Sequence, residues 1–144
     1  MLDAIIGTHH SFAALVLRLV LGYIFINHGW PKLFKKEFGP KGLAGFLKTL
    51  NIPFPLLFAY AAGIAEFFGG VLLILGLLTR VDALLIAIVM IVAMWKVKFK
   101  TGLMTRVMEG NRVGGYELDL ALFAIAVALI VSGGGTFSLD CFLR

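Results

Sequence analysis

Four strongly apolar segments alternate with polar loops along this chain. They cover residues 12–30, 54–78, 81–95 and 116–131. A helix needs roughly 20 mostly apolar residues to cross a bilayer, with a range of about 17–25. The first two segments meet this length directly, and the last two meet it with a few flanking residues. The pattern therefore predicts an all-α fold in which four helices span a membrane within a single domain, residues 1–144.

Composition strengthens this prediction. The chain has 144 residues, of which 60% are hydrophobic, and its mean hydropathy is +1.00. A soluble domain of this length carries more charge and less apolar content. The polar residues are too few to cover the outside of four such helices, so a soluble bundle does not fit the sequence.

Basic residues are concentrated in two of the loops. Residues 31–52 hold five lysines, and residues 96–115 hold three lysines and two arginines, whereas only Arg80 and Arg144 lie on the other side. Short loops rich in Lys and Arg stay in the cytoplasm. The bias predicts that both termini lie outside, with Trp30 and Trp95 at the inner interface. This topology accounts for most of the net charge of +5, so no nucleic-acid partner is expected.

Two ionisable residues are predicted deep in the membrane. Arg18 lies about 9 Å from the outer boundary of the first segment, and Glu66 about 18 Å from the inner boundary of the second. Across a core of about 30 Å these depths nearly coincide, which predicts a buried Arg18–Glu66 ion pair. Such a pair is either functional or a static clamp between helices. Small residues at helical spacing surround Glu66 and predict its contact face: Ala59, Ala62, Gly63, Gly69 and Gly70.

A second polar group is predicted nearer the cytoplasm. His28 lies about 6 Å from the inner boundary, at the depth where the fourth segment begins. Glu117 shares a helical face with three alanines and is expected to point inward, whereas Asp119 is expected to face elsewhere as an interfacial dipole partner. Lys32 and Tyr116 are secondary candidates. The alternative for His28 is an interfacial histidine bonded to a backbone carbonyl. The alternative for Glu117 is an ordinary acid at the start of a helix.

The chain has one cysteine, Cys141, and no CxxC, phosphate loop or metal-ligand spacing. No metal site is predicted, and the chain has no sequence motif for a redox centre of its own. Cys141 is expected not to be catalytic. Ser138 is predicted to cap a short helix that begins at Leu139.

The ordered motifs resemble the DoxX family of small bacterial membrane proteins. The matching pieces are RLVLGYIFINHGWPKL (18–33), AEFFGGVLLILGLLTR (65–80), GGYELDLAL (114–122) and GGGTFSLD (133–140). The resemblance implies four helices in the inner (plasma) membrane of a bacterium. It also implies a link to the membrane subunit of a thiosulfate:quinone oxidoreductase, to redox-stress complexes and, in distant relatives, to membrane-protein assembly. It does not identify the site residues.

Three functions remain open at this point. The first is a quinone-linked redox or accessory subunit, in which Arg18, His28, Glu66 and Glu117 bind a non-covalent quinone or relay its protons. A partner protein or a bound small molecule would then supply the electrons. The second is a partner or assembly factor for other membrane proteins, with a structural ion pair. The third is a small transporter, which would need a homo-oligomer because four helices are few.

Overall fold

The computed structural model describes residues 12–108 and 111–143, and helices dominate the described part of the chain. Four long helices are joined by shorter elements. The helices are α1 (Phe12–Phe34), α2 (Pro40–Thr49), α3 (Pro55–Leu75), α4 (Thr79–Ala93), α5 (Glu117–Ser132) and α6 (Leu139–Phe142). A π-helical turn, Met94–Lys98, and a 3₁₀ turn, Phe99–Thr101, continue α4. An antiparallel hairpin of β1 (Arg106–Met108) and β2 (Asn111–Val113) precedes α5.

Helices α1 and α3 approach each other through glycines. A Cβ atom on Gly22 would lie 2.6 Å from the carbonyl oxygen of Gly70, and one on Gly70 would lie 2.8 Å from the carbonyl oxygen of Gly22. Only residues without a side chain permit such backbone contact. The predicted contact face around Glu66 is confirmed, because four of its five small residues are buried: Ala59, Gly63, Gly69 and Gly70. Arg18 and Gly22 are buried on α1.

Helices α4 and α5 complete the apolar core. The core cluster combines residues from α1, α3, α4 and α5, among them Phe25, Leu73, Ile86, Ala126 and Leu129. Many large apolar side chains on the outer surfaces of these helices are exposed. Of the helices in the described part of the chain, α1 and α3 are long and apolar enough to cross a bilayer.

Gly76 lies inside the second predicted segment and ends α3 at Leu75. It takes a left-handed conformation (φ +69°) as the C-cap of α3, and its N–H donates back to the carbonyl of Leu73 at 3.1 Å. Such a φ favours glycine. Helix α4 then begins at Thr79, two residues earlier than the apolar pattern predicts.

Two elements were not predicted from the apolar pattern. Helix α2 lies within the first basic loop, starts with Pro40 at its first turn, and buries Leu43 and Ala44 against Ala59 of α3. The hairpin occupies the second basic loop. At the C-terminal end, the predicted cap is confirmed, because the N–H of Cys141 donates to Ser138 Oγ at 3.2 Å.

Candidate functional site

Arg18 does not pair with Glu66, so that prediction is wrong. Its guanidinium donates to the carbonyl oxygens of Leu73 at 3.3 Å, Ile74 at 3.4 Å and Phe137 at 2.6 Å. The last carbonyls of a helix have no partner within the helix. Because Gly76 ends α3 beside Arg18, the carbonyls of Leu73 and Ile74 accept hydrogen bonds from the guanidinium. Arg18 therefore has polar partners on α3 without Glu66.

Arg18 instead belongs to a buried group that we call the Arg18 cluster: Arg18, Thr79, Asp82, Ser138 and Asp140. The Asp140 carboxylate accepts from the backbone N–H groups of Leu78 at 2.7 Å and Thr79 at 2.9 Å, which caps the start of α4. The cluster ties the C-terminal segment to three helices. Sequence reasoning missed Asp82 and Asp140, although each is an acid in the first turn of a helix.

Glu66 pairs with Lys32 from the last turn of α1. Lys32 Nζ contacts Oε1 and lies 2.6 Å from Oε2, so the contact is bidentate. The carboxylate side chain is 1% exposed and the lysine side chain 23% exposed. A Cβ on Gly63 would lie 2.7 Å from Leu33 Cδ2 and 3.5 Å from Lys32 Cβ, so the glycine lets the end of α1 pack closely against α3 beside Glu66. Gly63, one turn before Glu66, is the signal that could have identified this partner.

Asp119, not Glu117, is the inward-facing acid of α5, so the predicted assignment is wrong. Asp119 is buried with Leu122, Ala126 and Leu129 on one helical face, while Glu117 is exposed. The three alanines that were predicted to share the inner face with Glu117 are exposed: Ala121, Ala124 and Ala128. Alanine spacing was a poor guide because alanines lie on both sides of this helix, and Ala126 is buried beside Leu122 and Leu129.

The partner of Asp119 is Lys98 at the end of the π-helical turn. Lys98 Nζ lies 2.7 Å from Asp119 Oδ2, with side-chain exposures of 32% and 9%. A π-helical turn shifts the helical register, and such turns occur often at functional sites. Tyr116, a secondary candidate, stacks on Phe99 with ring centroids 6.4 Å apart.

Both ion pairs line one cavity of about 770 Å³, which we call the central groove. His28 also lines it, on the exposed side of α1. Most of its described lining is apolar and comes from α2, α3, α4 and α5, including Leu43, Phe58, Ile88 and Leu122. Phe38, just before α2, and Trp95, in the π-helical turn, also line it. The structure therefore brings together His28, Lys32, Glu66 and Asp119 from the predicted candidates, and adds Lys98. Arg18, Glu117 and Tyr116 are not among the described lining residues.

Comparison with known proteins identifies the family. The sequence model of the DoxX family matches residues 13–99. This chain belongs to the DoxX family. That membership confirms the resemblance and makes the chain a membrane protein. The matched range includes His28, Lys32, Glu66 and Lys98 of the central groove, whereas Asp119 lies beyond it.

Three relatives align with most of this DoxX protein. The Bacillus subtilis protein named "Putative oxidoreductase CatD" is 32% identical over 92% of this chain and 88% of its own. An "Uncharacterized membrane protein" of Mycobacterium tuberculosis is 30% identical over 89% of this chain and 79% of its own. An "Uncharacterized protein" of Haemophilus influenzae is 33% identical over 86% of this chain and 85% of its own. No solved structure matches the chain.

Proposed function

We propose that this DoxX protein crosses the inner membrane of a bacterium four times, with both termini outside. Helices α1 and α3 have the required length, and α4 reaches it when its π-helical turn is included. The bias of Lys and Arg toward the loops 31–52 and 96–115 supports the orientation. In this topology the two paired lysines of the central groove, Lys32 and Lys98, lie toward the cytoplasmic ends of their helices.

Within this topology, the chain is a quinone-linked redox or accessory subunit, and the central groove holds the quinone. The observation that carries this proposal is a largely apolar groove with two lysine–carboxylate pairs in its wall. Small-molecule sites are typically apolar cavities of about 300–1,000 Å³ with a few polar groups that fix orientation. The name of the Bacillus subtilis relative supports a redox role.

The residues of the groove fit a quinone. Its apolar side chains suit the ring and tail, and an ammonium donates hydrogen bonds to carbonyl oxygens. A bound quinone supplies two-electron, two-proton redox chemistry. Lys32 holds a ligand oxygen while remaining bonded to Glu66, and the Glu66 carboxylate can accept or return a proton there. His28, on the exposed side of α1, can carry a proton between the groove and water.

Two tryptophans make the binding test specific. The sequence has two, and Trp95 lines the groove, whereas Trp30 packs on Phe34 and Phe67 with ring centroids 4.5 and 5.7 Å away. Trp30→Phe leaves Trp95 as the reporter, and Trp95→Phe leaves Trp30 as the matched control. Decylubiquinone added to protein in mild detergent should quench Trp95 fluorescence saturably. Quenching of Trp30 should rise only in proportion to quinone in the micelle.

The same purification separates this role from an accessory role in assembly. If quenching of both Trp30 and Trp95 rose linearly with the quinone concentration, without saturation, the result would contradict quinone binding. A polypeptide that co-purifies stoichiometrically, without saturable quenching, would instead favour a partner or assembly role.

A further inference from the structure

The two ion pairs of the central groove come from different parts of the chain and have the same design. Lys32 and Glu66 join α1 to α3, and Lys98 and Asp119 join the π-helical turn to α5. In each pair the carboxylate side chain is nearly buried and the lysine side chain is more exposed, at 23% and 32%. The lysines are therefore the more accessible partners of the two pairs for a molecule in the groove.

Each ammonium keeps hydrogen-bonding capacity after pairing. A lysine ammonium carries three N–H donors and no acceptor. The Lys32 ammonium contacts both carboxylate oxygens of Glu66, and the Lys98 ammonium contacts one carboxylate oxygen of Asp119. Donors on both lysines thus remain for a ligand, one from each part of the fold. The groove wall between such polar groups is mainly apolar.

Charge compensation favours a neutral ligand. Each of these lysines is already neutralised by its own carboxylate, so an added anion would also meet the charges of Glu66 and Asp119. A carbonyl oxygen accepts an N–H bond without adding charge. Lys96, another cation of the groove lining, lies over the Trp95 ring at 4.5 Å.

We propose that Lys32 and Lys98 together select ligands with two separate carbonyl oxygens on one flat apolar ring, each oxygen bonded to one lysine. This inference rests on the proposed quinone site and deepens it, because it names the two specificity-determining residues and the ligand class. A ring with one carbonyl satisfies either lysine but not both. An anionic phospholipid headgroup would use the same lysines without the ring.

The first test needs no substitution in the groove pairs. In the Trp30→Phe protein, 2,3-dimethyl-1,4-naphthoquinone is titrated against Trp95 fluorescence, and 1-tetralone, which has one carbonyl, is used to displace it. Hydrogen bonds to charged groups are strong enough that loss of one should weaken binding about tenfold. Equal affinity for the two compounds would overturn two-point binding while leaving the quinone site intact. Absence of saturable quenching would contradict the proposed quinone site itself.

The second test assigns each lysine in charge-neutral variants. Lys32→Met with Glu66→Gln, and Lys98→Met with Asp119→Asn, remove a pair without stranding a charge. Each variant should bind the dicarbonyl about tenfold more weakly, because one strong hydrogen bond is lost. Binding of the monocarbonyl should weaken by about twofold at most, since the other lysine remains available. An unchanged dicarbonyl affinity in the Lys98 variant would limit recognition to Lys32 and overturn the inference.

Matched lysines control for general charge effects. Lys36→Met and Lys100→Met remove exposed lysines that are not among the described groove lining, so binding should not change. Phosphatidylglycerol and phosphatidylcholine are then compared as competitors in mixed micelles. Selective displacement of the naphthoquinone by phosphatidylglycerol, lost in both pair variants, would assign the lysines to an anionic lipid and overturn the proposal.

Discussion

Breaking the Lys32–Glu66 pair should affect stability unequally, depending on which partner is removed. Lys32→Met leaves the Glu66 carboxylate without its cation at 1% exposure. Loss of one partner of a buried pair costs about 3–5 kcal/mol, and uptake of a proton by the stranded carboxyl limits the loss toward the lower value. Glu66→Gln leaves a lysine whose side chain is 23% exposed, so its ammonium can reach water and can bond the new amide oxygen. We expect about 1–2 kcal/mol for that change.

The assay is thermal unfolding of the purified variants in one detergent. At about 2–4 °C per kcal/mol, Lys32→Met should lower Tm by roughly 6–20 °C and Glu66→Gln by roughly 2–8 °C. The combined Lys32→Met and Glu66→Gln variant has no stranded charge, so it should unfold above the Lys32→Met protein. The double-mutant cycle of Lys32→Met and Glu66→Gln should give a coupling free energy of about 2–3 kcal/mol, because the two residues are in direct contact.

A second cycle supplies the control. Arg18 bonds backbone carbonyls and not Glu66, so Arg18→Gln and Glu66→Gln should be additive within about 0.5 kcal/mol. Strong coupling between Arg18 and Glu66, or additive effects of Lys32→Met and Glu66→Gln with no rescue, would refute the pairing described above.

Further predictions concern topology, the turn after α3 and the start of α5. A reporter fused at Lys41 should read as cytoplasmic and one fused at the C-terminus as external, and the reverse result would invert the proposed topology. Gly76→Ala should lower the free energy of unfolding by more than the about 1 kcal/mol that a left-handed φ costs alanine by itself, because the added Cβ would meet the Arg18 guanidinium and Ser138 Cβ. Gly69→Ala is the control, since a Cβ there would meet nothing within 4 Å, and a loss at Gly76 no larger than at Gly69 would contradict the steric argument. Asp119→Asn should lower Tm, because Asp119 is buried and paired with Lys98. Glu117→Gln changes an exposed side chain, so it should change the free energy of unfolding by less than about 0.5 kcal/mol.

The helix contact faces were predictable from the sequence because close backbone approach depends on small residues at fixed spacing. Gly22 on α1 and Gly70 on α3 meet as that spacing requires. The ends of the helices were less predictable. A left-handed glycine at position 76 moves the start of α4 and supplies Arg18 with carbonyl partners, and neither effect appears in a count of apolar residues.

Charge partners were predicted poorly because depth along a helix ignores the reach of side chains. Lys32 lies in the last turn of α1, yet its long side chain reaches Glu66 on α3. The orientation of Asp119 depends on the rotation of α5 about its own axis, which its core side chains determine. Helix α2 was hidden because its short apolar stripe lies between lysines in a loop that looks polar on average.

The bond between Arg18 and the carbonyl of Phe137 joins residues that are 119 positions apart. During synthesis, α1 is therefore made long before its arginine can meet this acceptor. Until Phe137 has been added and has packed against α1, that part of the guanidinium needs water or another polar group. A truncated variant that lacks the GGGTFSLD stretch would leave the arginine without this acceptor.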